Sequence, residues 1–596
     1  MSRDLIPELH DILKVTTLRH DFEDFGPFQA CAPDTRTWRG VLQHHCSERF
    51  PAYPTDRETF LLHMADGLAA NFSRKQVDIQ GETAWTVYRV WNPKSTSEDE
   101  RLSDPKDIRK MLEFLGGDPT YEEFRRRYEH VFQSRAEDAH PGMNVTTLDT
   151  HVRLVGQFYR FLQHSALLHV SEEEVGNAAS RGAGGVSDLR ERKQREWQIH
   201  LIRCRPRLLT NPFRARDLNI FACLEEFLEA AGAKLGDNIL FAGAEELLLC
   251  CDDLKILDDL MALAARHGIA LDIEKKRQRL DMANLKFKRR PDESLYPALE
   301  ANILPPLCEI CQMSKATRVW PQDYLAALGG QAGEVEEGRD YLCETCFAIR
   351  SRPSRLKKLA HWRQGELVWV RFGLDFYDLH ESLRRLYLTY LRSLDAKADE
   401  SKAEVRFSLV AEFQQDYQKY LAHVGKQLLK RFGEGRTEVI LPDFFCVKAE
   451  SGKDVLGVLR CLGGAARAFF PAFVTLPDSP LRLSLTFCDV RYPFFEIWRE
   501  WQEQQSEIEV RAVGHGELAL RLKDLEKFLQ LSEFPFRKSA LHDLAEISRI
   551  SEQLAELRFR GRGEKGERPT FEHLSEFLPL GLKFEGILTL AKLLGT

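Results

Sequence analysis

Imidazole and carboxylate side chains recur near the start of this chain in an order that can hold a transition metal. LHDILK supplies His10 and Asp11, LQHHCSE supplies His44 and His45, LHMADGLAA supplies His63 and Asp66, and TTLDTHVRLV supplies His151. Such groups bind Mn, Fe, Ni or Zn and leave coordination positions open to water. A metal-bound water of lowered pKa is a hydroxide nucleophile suited to phosphodiester attack. A single His-Asp pair means little, because a surface or capping histidine explains it as well. The succession of HD, HH and AD, with helical patterning around His10, Asp66 and His151, predicts a site built from His10, Asp11, His44, His45, Asp66 and His151. His10 and Asp11 are its catalytic candidates, and Asp11 is the candidate bridge if two metals bind. His63 lies three residues before Asp66, on the same helical face, and reads as packing or support.

Cys308-x-x-Cys311 and Cys343-x-x-Cys346 form a second constellation. Two such knuckles 31 residues apart can close a tetrahedral four-sulfur zinc site. A closed four-thiolate site has no open position, so its role is structural. A third feature is a pair of strand–turn–strand segments, FAGAEELLL and ILPDFFCVK, each placed where a palm-type enzyme holds Mg²⁺ over a triphosphate. Glu245 and Glu246 mark the first turn and Asp443 the second, and Asp375 and Asp378, between the two in sequence, are further candidate carboxylates. Pro442 and Phe444 stand where close phosphate approach calls for Gly and a second acid, so the favoured reading is a sheet without metals. Basic runs supply Lys275, Lys276, Arg277, Lys286, Lys288, Arg289 and Arg290, then Arg355, Lys357 and Lys358. Phe287 lies among them, which suits phosphate tracking with base stacking, although most charge runs are solvated faces.

The elements that must position these residues are read from pattern and composition. The 596 residues exceed a single core, and 43% hydrophobic with 29% charged residues excludes a wholly disordered chain. No apolar run is long enough to span a bilayer, and MSRDLIPELHDILK carries no apolar leader. CxxC pairing in place of a disulfide framework points to a reduced compartment, and the cytoplasm is the expected location. The net charge of -7 leaves room for local basic surface. The fold class is α+β and multidomain. We expect a helical His/Asp domain over 1–165, a linker at NAASRGAGGVSD, and a strand–helix–strand–strand–helix unit over 190–300. A four-Cys insert over 301–355, a second such unit over 356–500 and a helical C-terminal domain over 501–596 follow. ELALRLKDLEKF is expected to be helical.

LHDILK resembles the LHDIGK signature of HD phosphohydrolases, with Leu13 in place of Gly. NVTTLDTHVRL resembles the segment that a circular permutation moves behind the rest of that domain, FAGAEELLL resembles a first palm turn, and RYPFF resembles a closing palm element. Taken in order, these parts resemble the large subunit of type III CRISPR–Cas effector complexes. The resemblance implies two ferredoxin-like palms and metal-dependent single-stranded DNA cleavage at the HD site with Mn²⁺ or another transition metal. It also implies crRNA, crRNA-binding subunits and target RNA as partners, and no membrane. That family's cyclase motif is GGDD. Leu441-Pro442-Asp443-Phe444 stands in its place, so cyclic oligoadenylate synthesis is expected to be absent. A catalytically silent scaffold anchoring guide RNA and small subunits is the alternative.

Overall fold

The structure is a computed structural model. It describes residues 8, 10–15, 43–44, 53–73, 79, 84, 86–94, 102–116, 120–138, 140, 142–165, 168–208, 220–242, 247–279, 293–295, 307–310, 315–323, 340–351, 359, 361–362, 364–374, 376–400, 404–502, 504, 506–532, 589 and 593.

Helices come first. They are α1 (Arg57–Ser73), α2 (Pro105–Gly116), α3 (Tyr121–Ser134), α4 (Leu148–His164), α5 (Glu172–Ala179) and α6 (Gly182–Glu196). Leu154, Val155, Phe158, Phe161 and Leu162 form an apolar stripe on α4 that packs against Phe60, Leu61, Met64, Leu68 and Phe72 of α1. The expected linker is helical instead. Ser171 and Glu174 form a capping box that starts α5, and Gly182, at φ +75°, joins it to α6. Val175, Ala178, Val186 and Leu189 then bury their side chains in the α1–α4 core, so small residues serve here as close packing rather than as a spacer.

Two sheets follow, each with the same internal order. The first comprises β1 (Gln198–Leu208), β2 (Ile239–Ala242), β3 (Leu247–Cys251), β4 (Ile269–Arg279) and β5 (Glu293–Leu295), arranged β2-β3-β1-β4-β5. Helices α7 (Ile220–Leu235) and α8 (Ile256–Arg266) cover one face. Leu201, Leu248 and Cys250 on the other face pack against the α1–α4 bundle. After the cysteine region come β8 (Glu366–Leu374), α10 (Phe376–Leu394), α11 (Phe407–Phe432), β9 (Thr437–Leu441), β10 (Phe444–Ala449), α12 (Lys453–Phe469) and β11 (Leu481–Asp489), once β6 (Arg318–Trp320), β7 (Asp340–Leu342) and α9 (Glu344–Ser351) are counted in the insert. Within the second sheet the order β9-β10-β8-β11 repeats β2-β3-β1-β4, the order of a βαββαβ unit. β8 is buried on both faces. Val368 and Val370 face the α10–α12 core, while Leu367 and Trp369 face a second core with Phe444, Phe494 and Trp501.

This second sheet runs past residue 500. Helix α13 (Phe494–Gln502) carries the chain across to β12 (Ile508–Ala512), which pairs parallel with β11, and β13 (Gly516–Leu520) pairs antiparallel with β12. ELAL is therefore strand, not helix, while the expected helix holds for the second half of that stretch, Leu525–Leu531. Gly514 and Gly516 take positive φ in the turn, and Leu518 and Leu520 alternate into the core. Among the described residues, no helix is long and apolar enough to cross a membrane.

Candidate metal centre

His10 and Asp11 precede a short 3-10 turn, Ile12–Val15. Asp66 projects from α1, and His151 from the first turns of α4. The backbone near His10 is tied to α4 by charge and by space. Glu8 Oε1 meets Arg160 at 2.5 Å, and Gly156 leaves the room that Glu8 occupies, since a Cβ there would collide with it. Arg125 of α3 grips Asp149 through two bonds, 2.5 and 3.0 Å, beside the N-terminus of α4. The sequence scatters these residues, and α4 collects them.

The side chains converge on the two carboxylates. Asp11 Oδ2 lies 3.4 Å from His10 Nε2 and 3.4 Å from His151 Nε2, and Asp11 Oδ1 lies 3.7 Å from His44 Nε2. Asp66 Oδ1 lies 3.5 Å from His10 Nε2 and 3.2 Å from His151 Nε2. One ligand atom from each of His10, Asp11, Asp66 and His151 falls within 4.8 Å of the others. Ligands about 2.1 Å from one ion stand roughly 3.0 Å apart along an octahedral edge and roughly 3.4 Å along a tetrahedral one. The nitrogen–oxygen separations match that spacing, so the donor set fits a single metal ion. Asp66 is 21% exposed while His10, Asp11 and His151 are closed off. The cluster thus opens to solvent at the Asp66 side.

The charges explain how these groups share a buried site. Burial opposes the charged imidazole of His10, but Asp11 and Asp66 outweigh it and raise His10 to about 8. His151 is likewise raised against burial, by Glu137 first and then Asp11 and Asp66. Burial pushes the Asp11 carboxyl up, yet Lys14, 2.6 Å away, and His10 hold it well below the usual range. Asp66 is held low by His10 and His151. A divalent ion can replace these proton charges without altering the balance.

Two supporting groups complete the arrangement. Glu137 Oε1 faces His151 Nδ1 at 3.0 Å, which aims Nε2 at the cluster. No spacing in the sequence singles out Glu137; only its acidity near His151 hints at it. His63 does not join the cluster. Its Nδ1–H donates to the His44 carbonyl at 2.5 Å, and its Nε2 accepts from Arg190 at 3.2 Å. Burial and then Arg190 lower His63 to about 4, so it stays neutral and supports the backbone of His44. His45 lies outside the described residues.

The cysteine region supplies a second cluster. Cys308, Cys343 and Cys346 are buried, with their sulfurs within 4.8 Å of one another. Cys311 lies outside the described residues. The β6–β7 hairpin leads into Cys343, and the Cys346 N–H reaches Cys343 Sγ at 3.4 Å as α9 begins. Trp320, Leu342 and Phe347 close over the sulfurs.

Between the sheets lies a cavity of about 620 Å³. Leu228, Phe372, Tyr417, Leu421 and Leu441 line it, and Lys426 is the one cation among its described lining residues. Asp443 is buried at the β9–β10 turn. Asp378 pairs with Arg482 at 2.6 Å. Glu245, Glu246 and Asp375 lie outside the described residues. Of the basic residues, Lys275 and Arg277 are exposed on β4 and Lys276 is half-buried beside Glu274. Lys286, Lys288, Arg289, Arg290, Arg355, Lys357 and Lys358 lie outside the described residues.

No protein-family model matches this chain, and no curated protein matches it. Solved structures do. Csm1 from T. onnurineus aligns over 99% of this chain and 98% of its own, at 12% identity and a TM-score of 0.49. A Csm1–Csm4 cassette in complex with cA3 aligns over 98% of each chain, at 13% identity and a TM-score of 0.49. The apo Csm1–Csm4 cassette aligns over 96% of this chain and 93% of its own, at 12% identity and a TM-score of 0.45. The structures to which this chain is similar over nearly its full length are those of Csm1, alone and in the Csm1–Csm4 cassette.

Proposed function

We propose that this chain is the large subunit of a crRNA-guided type III effector complex, and that its His/Asp cluster is a metal-dependent single-stranded DNA nuclease. The observation that carries the reading is the convergence of His10, Asp11, Asp66 and His151, from three separate segments, at metal-ligand spacing. His44 stands beside Asp11 as a further imidazole donor. A bound Mn²⁺ or related ion would supply a hydroxide at neutral pH and charge stabilisation for the phosphate. The protein's own part is to hold the donors. Asp11 presents both oxygens to the site, Glu137 orients His151, and burial keeps His10, Asp11 and His151 from solvent. Lys14, 17% exposed beside Asp11, offers a fixed cation near an entering phosphate. Lys275 and Arg277 offer phosphate contacts on β4. The Cys308, Cys343 and Cys346 sulfurs would hold a structural zinc, with Cys311 the fourth ligand that the CxxC spacing supplies.

The inter-sheet cavity is read as non-cyclising. A triphosphate needs cations and closely approaching backbone, and the lining is largely aliphatic and aromatic. The Pro442-Asp443-Phe444 turn offers one acid where two are needed.

The test is Mn²⁺-dependent cleavage of single-stranded DNA by the chain assembled with guide RNA, its partner subunits and target RNA. Wild type is expected to cleave, and a His10→Ala/Asp11→Ala double variant to lose at least about 100-fold of the rate, as expected when a metal's ligands are removed. Absence of cleavage by a metal-loaded, target-bound wild type overturns the nuclease reading and leaves a scaffold.

A further inference from the structure

The helix that presents His151 is started by a residue of the second βαββαβ unit. Thr147 caps α4 in the usual way, its hydroxyl accepting from the Thr150 N–H at 3.2 Å. Glu412, in the second turn of α11, closes on the same turn from outside. Its Oε1 accepts from the Thr147 N–H at 3.0 Å, from the Thr150 hydroxyl at 2.5 Å and from the Thr147 hydroxyl. Glu412 is 3% exposed, and Thr147 and Thr150 are as deeply buried. Three donors on one carboxylate oxygen, at the positive end of a helix, are a strong local restraint.

The placement gives this restraint a consequence. Thr150 immediately precedes His151, and successive residues of an α-helix point about 100° apart. Thr150 therefore faces α11 while His151 faces the His/Asp cluster. Fixing the azimuth of one fixes the other. Neighbouring contacts hold the same approach: Gln415 reaches the Thr150 hydroxyl at 3.4 Å, Tyr390 donates to Asn144 at 2.7 Å, and Tyr387 donates to the Gly142 carbonyl at 2.8 Å. Glu412 itself touches none of the cluster's residues in these contacts.

We propose that Glu412 is a positioning residue for the metal centre: its contact with Thr147 and Thr150 locks the first turn of α4 and so aims His151. The proposal rests on reading the His/Asp cluster as a metal site. It makes the second βαββαβ unit part of the machinery that builds a centre whose ligands all lie in the N-terminal helical region.

The experiment is a Co²⁺ titration of the full chain, with the cysteine site already filled by Zn²⁺. Visible absorption reads the nitrogen–oxygen centre, and retained zinc serves as the control for intact folding. Glu412→Leu is expected to weaken Co²⁺ binding about tenfold or more, the usual scale for residues that orient a ligand, and to alter the spectrum while zinc is retained. Glu412→Gln keeps an acceptor oxygen in place and is expected to restore most of the affinity. Thr150→Val is expected to weaken binding in the same direction. The Glu412→Leu/Thr150→Val double variant is expected to be no worse than Glu412→Leu, because the contact that Thr150→Val removes is already lost in Glu412→Leu. Wild-type affinity and spectrum in Glu412→Leu overturn the proposal. If that variant does not fold, wild-type behaviour of Thr150→Val overturns it. A wild-type chain that takes up Co²⁺ but cleaves no DNA once assembled with guide RNA, partner subunits and target RNA overturns the nuclease reading, and Glu412 is still judged on the spectrum. A wild-type chain with no Co²⁺ at the cluster overturns both.

Discussion

Cys343 and Cys346 share the turn that opens α9, and Cys308 lies beside β7, where the Glu309 N–H donates to the Tyr341 carbonyl. His10, Asp66 and His151 instead come from three segments that meet only because α1 and α4 pack along their lengths. The cysteine cluster is a local device, and its ligands lie close in sequence to the strands and turns that aim them. The His/Asp cluster is a global one. Its ligands depend on Glu8 against Gly156, on Glu137 behind His151, and on Glu412 from a distant helix. A local site should therefore fail alone, while a global site should be sensitive to residues far from it.

The sharpest break of this comparison is removal of the cysteine ligands. Cys343→Ser/Cys346→Ser is expected to abolish one metal equivalent, read by elemental analysis. Co²⁺ affinity at the His/Asp cluster is expected to stay within about twofold, since distant independent sites couple by only a few tenths of a kcal/mol. Joint loss of both metals would show that the two are one folding unit. Next in size is Glu137→Gln, which leaves the fold in place but no longer fixes the charge behind His151. Its Co²⁺ affinity is expected to fall about 10–100-fold with zinc retained. An unchanged titration would remove Glu137 from the site. The smallest effect belongs to Gly156→Ala, where the added methyl meets Glu8. Overpacking of this kind costs about 1–3 kcal/mol. A urea melt should show that loss, and the displaced His10 segment should weaken Co²⁺ binding by a few-fold. Wild-type stability would mean that Glu8 gives way freely.

Much of the candidate site was legible in the sequence. His10, Asp11, Asp66 and His151 stand out because HD and AD pairs within helical patterns are chemically distinctive, and CxxC knuckles carry their geometry in their spacing. The order strand, helix, two strands and helix was legible from apolar periodicity, and both units have it; the closing strand of the first unit, β4, was not, because its EKKRQR half reads as a run of charge. The stretch around Ser180 was misleading because Gly, Ala and Ser serve equally as flexible spacer and as close helix packing, and the capping box at Ser171 decides between them. The β12–β13 extension was hidden for a related reason. ELALRL satisfies a helical pattern, and only pairing with β11 through β12 makes its ELAL a strand.

The sequence by itself determined the kinds of groups available: imidazoles and carboxylates in one region, paired thiols in another, and a second turn with Pro442 and Phe444 on either side of its single acid. Those follow from residue identity and near-neighbour spacing. Tertiary structure alone decided that four of the candidate ligands meet within 4.8 Å, that His63 supports the chain instead of binding, and that Glu137 and Glu412 stand behind His151. These depend on how α4 is rotated and what lies behind it. Rotation is set by packing between elements hundreds of residues apart, and no local pattern records it.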